Sequence, residues 1–280
     1  MRIAVTGATG FIGRHVLAEL ARRDVEVIAA VRGRPDPPLE LPRGRAVRMD
    51  VAEASSESYD GLARPHALIH LAWGGLPNYR SLHHFEQERP MHYRFLRELV
   101  VAGLPAAVVA GTCFEYGMRS GPLDEGVEPR PCTPYGHAKD ALRRELEHLR
   151  REQPFALTWA RLFYLYGPGQ PERSLFSQLR RAVERGDETF DMSGGEQLRD
   201  YLPVERVAVH LVDLAMAGRD AGVVNVCSGE PVSVRGLVER KIRDNGWRIG
   251  LNLGRYPYPD YVPMAFWGVR DKLDRIAGSQ

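Results

Sequence analysis

The sequence has very little lysine. Only Lys139, Lys241 and Lys272 are lysines among its 38 basic residues, and the rest are arginines. An ammonium is a compact point charge, whereas a guanidinium is a planar group suited to flat anions. A lysine in a chain that otherwise uses arginine indicates a position where the compact charge is needed, and Lys139 is such a position.

Other absences exclude whole classes of protein. The three cysteines are far apart and show no metal-ligand spacing, which fits a reducing cytoplasm and excludes a disulfide scaffold. No apolar run reaches membrane-spanning length, and Met1 leads directly into a strand, so we expect no membrane segment and no signal peptide. A net charge of +2 gives no reason to expect a nucleic-acid partner. We therefore expect a cytoplasmic protein.

Histidines 83, 84 and 92 form a cluster that invites a metal interpretation. Pro90 interrupts the helix that would carry them, and no cysteine or carboxylate set completes a site. We interpret these histidines as solvated and predict no metal.

Three residues in the middle of the chain point to proton transfer. Tyr135 and Lys139 are four apart in a helical segment and so share one face, and Thr112 ends an apolar strand over residues 106–111. A nearby ammonium favours a phenolate and would lower the pKa of the tyrosine. The phenol could then act as general acid or base while the threonine holds a substrate oxygen. The alternative is an incidental Tyr–Lys pair on a solvated helix.

The start of the chain predicts a dinucleotide-binding loop. An apolar strand over residues 2–8 runs into Gly7, Gly10 and Gly13, and a helical pattern follows. The glycines allow a tight turn and close approach to a pyrophosphate, which the helix N-terminus attracts. The alternative is an ordinary strand-to-helix turn.

The second strand, over residues 25–31, indicates which cofactor the loop takes. It ends in Arg32-Gly33-Arg34, without the acidic residue that binds the ribose hydroxyls of NAD. An arginine there can pair with the 2′-phosphate of NADP, so we predict NADP(H), with NAD(H) as the alternative. Asp50, at the end of the strand predicted over residues 46–51, either accepts a hydrogen bond from adenine or caps the next helix.

The order of elements predicts an α/β fold. Further strands over residues 67–72, 106–111 and 155–166 alternate with helices, which gives a doubly wound parallel sheet of the Rossmann type with a small C-terminal substrate-binding lobe. We assign residues 1–167 and 203–228 to the dinucleotide-binding domain and residues 168–202 and 229–280 to the lobe.

Several motifs together resemble one family, the extended short-chain dehydrogenase/reductases, and within it the nucleotide-sugar epimerases, dehydratases and reductases. The resemblance covers essentially the whole chain. The motifs are TGATGFIG (6–13), HLA (70–72), TCFEYG (112–117), Y-x-x-x-K (135–139), RLFYLYGPG (161–169) and RDYLPVERVA (199–208).

The resemblance implies a role for each matching residue. Tyr135 would be the general acid/base, Lys139 would bind the nicotinamide ribose and tune Tyr135, and Thr112 would hold the sugar oxygen. Arg199 would contact the sugar-nucleotide diphosphate, while Phe114 and Tyr164 would line the pocket. The expected cofactor contacts are Gly7, Thr9, Gly10, Phe11, Ile12, Gly13, Arg32, Asp50, Val51, Leu71, Ala72, Trp73, Tyr135 and Lys139.

Departures from the family pattern narrow the reaction. Related dehydratases have two acids where this chain has Cys113 and Phe114, so we do not expect dehydration. Glu115 stands where an apolar residue is usual, and it would either touch the sugar or be satisfied by the backbone. Simple redox chemistry remains, and we predict an NAD(P)H-dependent reductase of a nucleotide-linked 4-keto(-6-deoxy) sugar.

Two alternatives stay open. One is a nucleotide-sugar 4-epimerase with tightly bound NAD, which would use the same three residues. The other is a non-catalytic dinucleotide sensor, which would be free to lose them. The family usually forms dimers, so we also expect a homodimer through residues 81–102 and 134–151.

Overall fold

A parallel sheet of seven strands forms the centre of the molecule, as the alternation of strands and helices predicts. The computed structural model describes residues 1–33 and 38–278. The strands, in chain order, are β1 (Arg2–Thr6), β2 (Glu26–Val31), β3 (Gly44–Arg48), β4 (Ala67–His70), β5 (Ala106–Thr112), β6 (Gly121–Leu123), β7 (Ala156–Leu162), β8 (Tyr164–Tyr166), β9 (Thr189–Asp191), β10 (Leu198–Pro203), β11 (Gly222–Val226), β12 (Pro231–Ser233), β13 (Gly250–Asn252) and β14 (Phe266–Gly268).

Helices cover both faces of this sheet. They are α1 (Phe11–Leu20), α2 (Ser58–Gly61), α3 (Arg89–Val101), α4 (Pro134–Glu152), α5 (Leu175–Arg185), α6 (Val204–Ala217), α7 (Val234–Asp244) and α8 (Asp271–Ala277). The apolar side chains of α1 and α6 pack in the cluster on one face, and those of α3 and α4 pack in the cluster on the other. Both faces of the central strands are therefore buried, which explains their nearly continuous apolar sequence.

The strand order places the candidate site. The seven strands run β3-β2-β1-β4-β5-β7-β11 across the sheet, and every neighbouring pair is parallel. The order reverses between β1 and β4, so the connections that leave these two strands diverge and open a crevice at their carboxyl ends. The glycine loop leaves β1 at this crevice, and Thr112 ends β5 on the same edge.

Three local predictions need correction. The third strand ends at Arg48, because Asp50 instead caps a 3-10 turn at Val51–Glu53. The strand expected over residues 155–166 is two strands, since β8 leaves the main sheet and pairs with β10. Pro90 lies in the first turn of α3, where no intrahelical N–H is needed, after a π-helical turn at His84–Glu88.

Smaller sheets lie outside the main sheet in the described part of the chain. They are β8-β10-β12, β9-β13 and β6-β14. A separate apolar cluster formed by Leu179, Ala182, Phe190, Met192 and Val238 packs among α5, β9 and α7. This arrangement agrees with the proposed lobe, whose boundaries stay a prediction. In the described residues no helix is both long and apolar enough to cross a membrane.

Candidate active site

Thr112, Tyr135 and Lys139 meet at the carboxyl edge of the sheet, as their spacing predicts. The 3-10 turn Cys113–Tyr116 follows β5, and Thr133 caps the start of α4 by accepting the Gly136 N–H at 3.1 Å. Only 6% of Thr112, 8% of Tyr135 and 3% of Lys139 is exposed. Proton transfer here would therefore be shielded from bulk water.

Burial controls the state of the Tyr135 phenol. It raises the pKa of Tyr135, the neighbouring Tyr79 adds to this effect, and a hydrogen bond with Thr112 opposes it. Our prediction that Lys139 lowers this pKa is wrong for the protein alone, because desolvation outweighs the stabilisation of a phenolate. Tyr135 is thus a neutral phenol at pH 7, which can donate a proton.

The Lys139 ammonium is held from two sides. Its Nζ donates to the carbonyl oxygen of Ala110 at 2.8 Å and lies 3.8 Å from the centre of the Trp73 ring. Burial lowers the pKa of Lys139 to about 7, against the opposing effect of Glu115 and Glu88. The site therefore contains a lysine whose charge is finely balanced near neutral pH.

Several aromatic rings lie beside the Tyr135 ring. The Tyr79 ring lies 5.5 Å from Tyr135 and the Phe114 ring 6.2 Å from it, between ring centres. Tyr164 and Tyr261 each lie 6.2 Å from Phe114. Phe114 and Tyr164 were predicted to line a pocket, whereas Tyr79 was missed because the Pro–Asn–Tyr turn that carries it has no pattern of its own.

The position of Cys113 fits redox chemistry better than dehydration. Cys113 is buried in an apolar cluster with Tyr116 and Phe163. Burial raises the pKa of its thiol to about 12, so it is a neutral thiol at pH 7. With Phe114 beside it, this turn offers no acid at the two positions that elimination of water would require.

The glycine loop is too tightly folded to hold a side chain at Gly7 or Gly13. A Cβ on Gly7 would lie 2.8 Å from the Ala72 nitrogen, and one on Gly13 would lie 2.1 Å from the Gly7 oxygen. No side chain caps the first turn of α1 at Gly10, and the turn contains no acid. Its amides and positive dipole end therefore fit a pyrophosphate, so these residues suit a dinucleotide.

Most of the other predicted cofactor residues belong to the glycine loop or follow strands of the main sheet. Thr9, Phe11 and Ile12 belong to the loop and first turn of α1, and Leu71, Ala72 and Trp73 follow β4. Arg32 is exposed at the end of β2, whereas Arg34 lies outside the described residues.

Of the two alternatives for Asp50, the structure shows capping. Its side chain accepts the Ala52 N–H at 2.9 Å. Val51, which follows it, is buried. Any contact of these two residues with adenine stays a prediction.

His84 and His92 are buried and not solvated, which corrects our interpretation, whereas His83 is partly exposed. His92 is 1% exposed, and its Nε2 donates to Glu88 at 3.1 Å. Its Nδ1 lies 2.8 Å from His70 Nε2, and His70 Nδ1 lies 2.8 Å from the Thr6 hydroxyl. His84 accepts the Trp73 indole N–H at 3.1 Å.

This network keeps His70, His84 and His92 neutral and Glu88 ionised. Burial lowers the pKa values of His70, His84 and His92. Burial also opposes ionisation of Glu88, but hydrogen bonds from His92, Gly74 and His83 outweigh it and lower the Glu88 pKa to about 2. The series of hydrogen bonds that runs from Thr6 through His70 and His92 to Glu88 therefore connects β1, the strand before the glycine loop, to the segment that carries Trp73.

The structure also shows the contacts of Glu115 and Arg199. Glu115 is fully buried and accepts the Thr112 N–H at 2.8 Å, so of our two alternatives it is satisfied inside the protein. Arg199 is 4% exposed, donates to the Leu198 and Met264 carbonyls, and lies over the Phe266 ring at 4.9 Å and the Tyr164 ring at 5.8 Å. Its contact with a diphosphate stays a prediction.

Comparison with known proteins agrees with this fold. A family model described as the NAD dependent epimerase/dehydratase family matches residues 3–227, and the chain belongs to that family. It is an NAD(P)-dependent oxidoreductase of the extended short-chain dehydrogenase/reductase type.

Similar proteins include nucleotide-sugar dehydrogenases. A dTDP-6-deoxy-L-talose 4-dehydrogenase (NAD(+)) of Aggregatibacter actinomycetemcomitans is 31% identical over 96% of this chain and 100% of its own. A dTDP-6-deoxy-L-talose 4-dehydrogenase (NAD(P)(+)) of Kitasatospora kifunensis is 29% identical over 92% of this chain and 83% of its own. The structure of MoeE5 in complex with UDP-glucuronic acid and NAD has a TM-score of 0.82 at 30% identity, covering 99% of this chain and 93% of its own.

The balanced charge of Lys139 leads to a prediction for Lys139→Met. Catalysis should fall by about a hundredfold or more, because the ammonium beside Tyr135 is lost. The melting temperature should not fall, since a buried ammonium disfavours the folded state. This gain should be larger at pH 6.5 than at pH 9.5: the unfolded lysine titrates near ~10.4, so between about pH 7 and that value the wild type becomes more stable as pH rises.

Lys272→Met is the matched control. Lys272 is half-buried and, like Lys139, donates to a backbone carbonyl, that of Val223, at 2.6 Å, but it lies on α8. Turnover should survive this change. Thermal unfolding at the two pH values and initial rates test both variants, and a wild-type stability that falls between pH 7 and 10 relative to Lys139→Met contradicts the charge balance.

Proposed function

We propose that the protein is an NAD(P)H-dependent reductase that interconverts the 4-keto and 4-hydroxyl forms of a nucleotide-linked 6-deoxy sugar. The convergence of Thr112, Tyr135 and Lys139 under an aromatic cleft carries this proposal. The two dehydrogenases described above act at position 4 of a dTDP-linked 6-deoxy sugar, which supports the same substrate class here.

The protein's own residues supply the proton and the orientation. Tyr135, a neutral phenol, donates its proton to the C4 oxygen, and the Thr112 hydroxyl holds that oxygen in line. Lys139 keeps a positive charge beside the developing alkoxide and the cofactor ribose. Such positioned acid catalysis is worth about 10²–10⁴ in rate.

The cofactor and the sugar nucleotide would occupy neighbouring parts of the crevice. The glycine loop and the first turn of α1 would hold the pyrophosphate of NAD(P)H, which supplies the hydride when bound. The aromatic rings of Tyr79 and Phe114 give an apolar wall suited to a 6-deoxy methyl group. Arg199 would face the sugar-nucleotide diphosphate, as a planar guanidinium suits it.

The cellular setting and assembly belong to the same proposal. Free Cys113, Cys132 and Cys227 support a reducing cytoplasm. We propose a homodimer through residues 81–102 and 134–151, which contain α3 and nearly all of α4.

Turnover of sugar nucleotides tests the reaction directly. The purified protein is mixed with NADPH or NADH and dTDP-, GDP- or CDP-linked 4-keto-6-deoxyhexoses, and absorbance is followed; dTDP-6-deoxy-L-talose with NAD⁺ tests the reverse direction. We expect turnover with the dTDP sugars. No turnover with any of them, together with NAD retained through purification, would instead support the epimerase alternative.

Tyr135→Phe tests the assigned proton donor. The rate constant for reduction should fall by about 10²–10⁴, while cofactor binding stays within a factor of about three. Tyr116→Phe is the control, because Tyr116 is a buried tyrosine nearby whose hydroxyl lies 2.9 Å from the Asp124 carbonyl oxygen and 2.8 Å from Asn225 Oδ1, so its one proton bonds within the fold. Tyr116→Phe should lower the melting temperature and leave the turnover rate unchanged. Near-normal turnover by Tyr135→Phe would contradict the assignment of Tyr135 as the proton donor.

Arg32→Glu tests the choice of cofactor. If Arg32 pairs with the 2′-phosphate, kcat/KM for NADPH should fall by about tenfold or more, while the value for NADH changes little. Arg240→Glu, an equal charge change at an exposed position on α7, should alter kcat/KM for neither NADPH nor NADH. An unchanged ratio of NADPH to NADH in Arg32→Glu would show that Arg32 is an ordinary surface arginine.

A further inference from the structure

Glu115 is a carboxylate with no exposed surface directly behind the candidate active site. Its Oε1 accepts the backbone N–H of Thr112 at 2.8 Å. The Trp159 indole N–H lies 2.9 and 3.1 Å from its two oxygens, and Arg161 Nε donates to Oε2 at 2.7 Å. Both carboxylate oxygens are thus fully engaged, so Glu115 does not act on a substrate itself.

These contacts fix the turn that presents Thr112. Thr112 and Glu115 form a capping box at the 3-10 turn Cys113–Tyr116, in which the threonine Oγ1 also accepts the Phe114 N–H at 3.3 Å. The backbone of Thr112 is therefore held from one side and its side chain from the other. Its hydroxyl is left in one position relative to Tyr135.

The surrounding sequence keeps room for this carboxylate. A Cβ on Gly111 would lie 2.2 Å from the Trp159 indole nitrogen and 2.7 Å from Glu115 Oε1. Trp159 and Arg161 both belong to β7. This strand pairs with β5 so that Gly111 lies opposite Arg161, which brings both side chains to Glu115. The Arg161 guanidinium in turn lies 4.5 Å from the centre of the Tyr116 ring. The ion pair is built into the sheet.

We propose that Glu115 is a positioning residue of the active site, which holds Thr112 against Tyr135 through the Thr112 backbone and supports the Lys139 ammonium through its negative charge. The proposal rests on the proposed function, because that function gives Thr112, Tyr135 and Lys139 their roles.

The Lys139 ammonium and the Glu115 carboxylate bind the end of the same strand: Lys139 Nζ donates to the Ala110 carbonyl at 2.8 Å, and Glu115 Oε1 accepts the Thr112 N–H at 2.8 Å. Glu115 on the turn after β5 and Glu88 on the π-helical turn raise the pKa of Lys139. The ammonium in turn lowers the pKa values of His70 on β4, His84 on the π-helical turn and His92 on α3. Removing the Glu115 charge should therefore make Lys139 lose its proton at lower pH.

A double-mutant cycle tests whether Glu115 acts through Thr112. Thr112→Ala and Glu115→Ala should each lower kcat by about a hundredfold, with KM for the sugar nucleotide within about threefold. Glu115→Ala made in the Thr112→Ala background should cost about threefold at most. Losses that multiply in the double variant would overturn the role through Thr112, because they would show that Glu115 affects turnover independently of Thr112.

Glu115→Gln separates position from charge. The amide oxygen can still accept the Thr112 N–H, so kcat should stay within about tenfold of wild type, but the alkaline limb of kcat/KM should move to lower pH. Asp140→Asn is the matched control: Asp140 is a buried acid on α4 paired with Arg143 and Arg144. It should leave both quantities unchanged. An unmoved limb in Glu115→Gln would overturn the charge part of the proposal.

Hydrogen exchange gives a readout that does not need turnover. Exchange across residues 112–116 should rise by about tenfold or more in Glu115→Ala and stay at the wild-type rate in Glu115→Gln and Asp140→Asn. Because Glu115→Ala leaves Arg161 buried without its counter-charge, Glu115→Ala with Arg161→Met is measured beside it. Unchanged exchange in the folded variant overturns the proposal.

The outcomes separate the two hypotheses. If the wild type turns over no sugar nucleotide, or if Thr112→Ala keeps full activity, the proposed function fails, and exchange still decides whether Glu115 holds the turn. If Thr112→Ala loses about a hundredfold in kcat but the two losses multiply in the double variant, the proposed function survives and only the role of Glu115 through Thr112 is lost.

Discussion

A buried ammonium constrains this structure more than any other single group. Lys139 is nearly enclosed, and a charge removed from water is strongly disfavoured unless other groups replace its hydration. The protein provides a backbone carbonyl from Ala110, the face of Trp73, and two carboxylates, Glu88 and Glu115. Each of these groups must itself be held in place. Much of the polar interior near the sheet edge can be understood as support for that one charge.

The support divides into two networks on either side of the lysine. On the α3 side, Glu88 is ionised because His92, His83 and the Gly74 N–H all donate to it. On the β7 side, Glu115 is balanced by Arg161, and the charge of that carboxylate raises the pKa of the guanidinium against the effect of burial. A buried ion pair contributes little to stability when compared with apolar packing, so its value here lies in geometry. The first network fixes the segment carrying Trp73, and the second fixes Thr112.

Sequence reasoning succeeded where the information is local. The glycine spacing, the four-residue separation of Tyr135 and Lys139, and the alternation of strands and helices each depend on neighbours in the chain, and the parallel sheet and the meeting of three residues followed from them. It failed where partners are distant. Glu115 and Arg161 are 46 positions apart and meet only because β5 and β7 pair in one register. His70 and His92 are 22 positions apart, and their burial depends on how α3 packs on β4. No spacing rule predicts such contacts.

In the proposed reaction, the protonation states of the protein suit the reduction step. Reduction of a ketone needs a proton donor, and oxidation of an alcohol needs a base. Burial raises the pKa of Tyr135, so the protein by itself presents a donor at neutral pH. Cys113, with its pKa near 12, and Phe114 add no base on the turn beside it. Lys139, with a pKa of about 7, is the group whose charge changes in the working range. Its ammonium form stabilises an oxygen that gains negative charge, so lower pH within this range should favour reduction, and the loss of that proton should weaken it. The same three residues can run the reaction backwards, but only when the charge around Tyr135 is made more positive than the protein alone makes it.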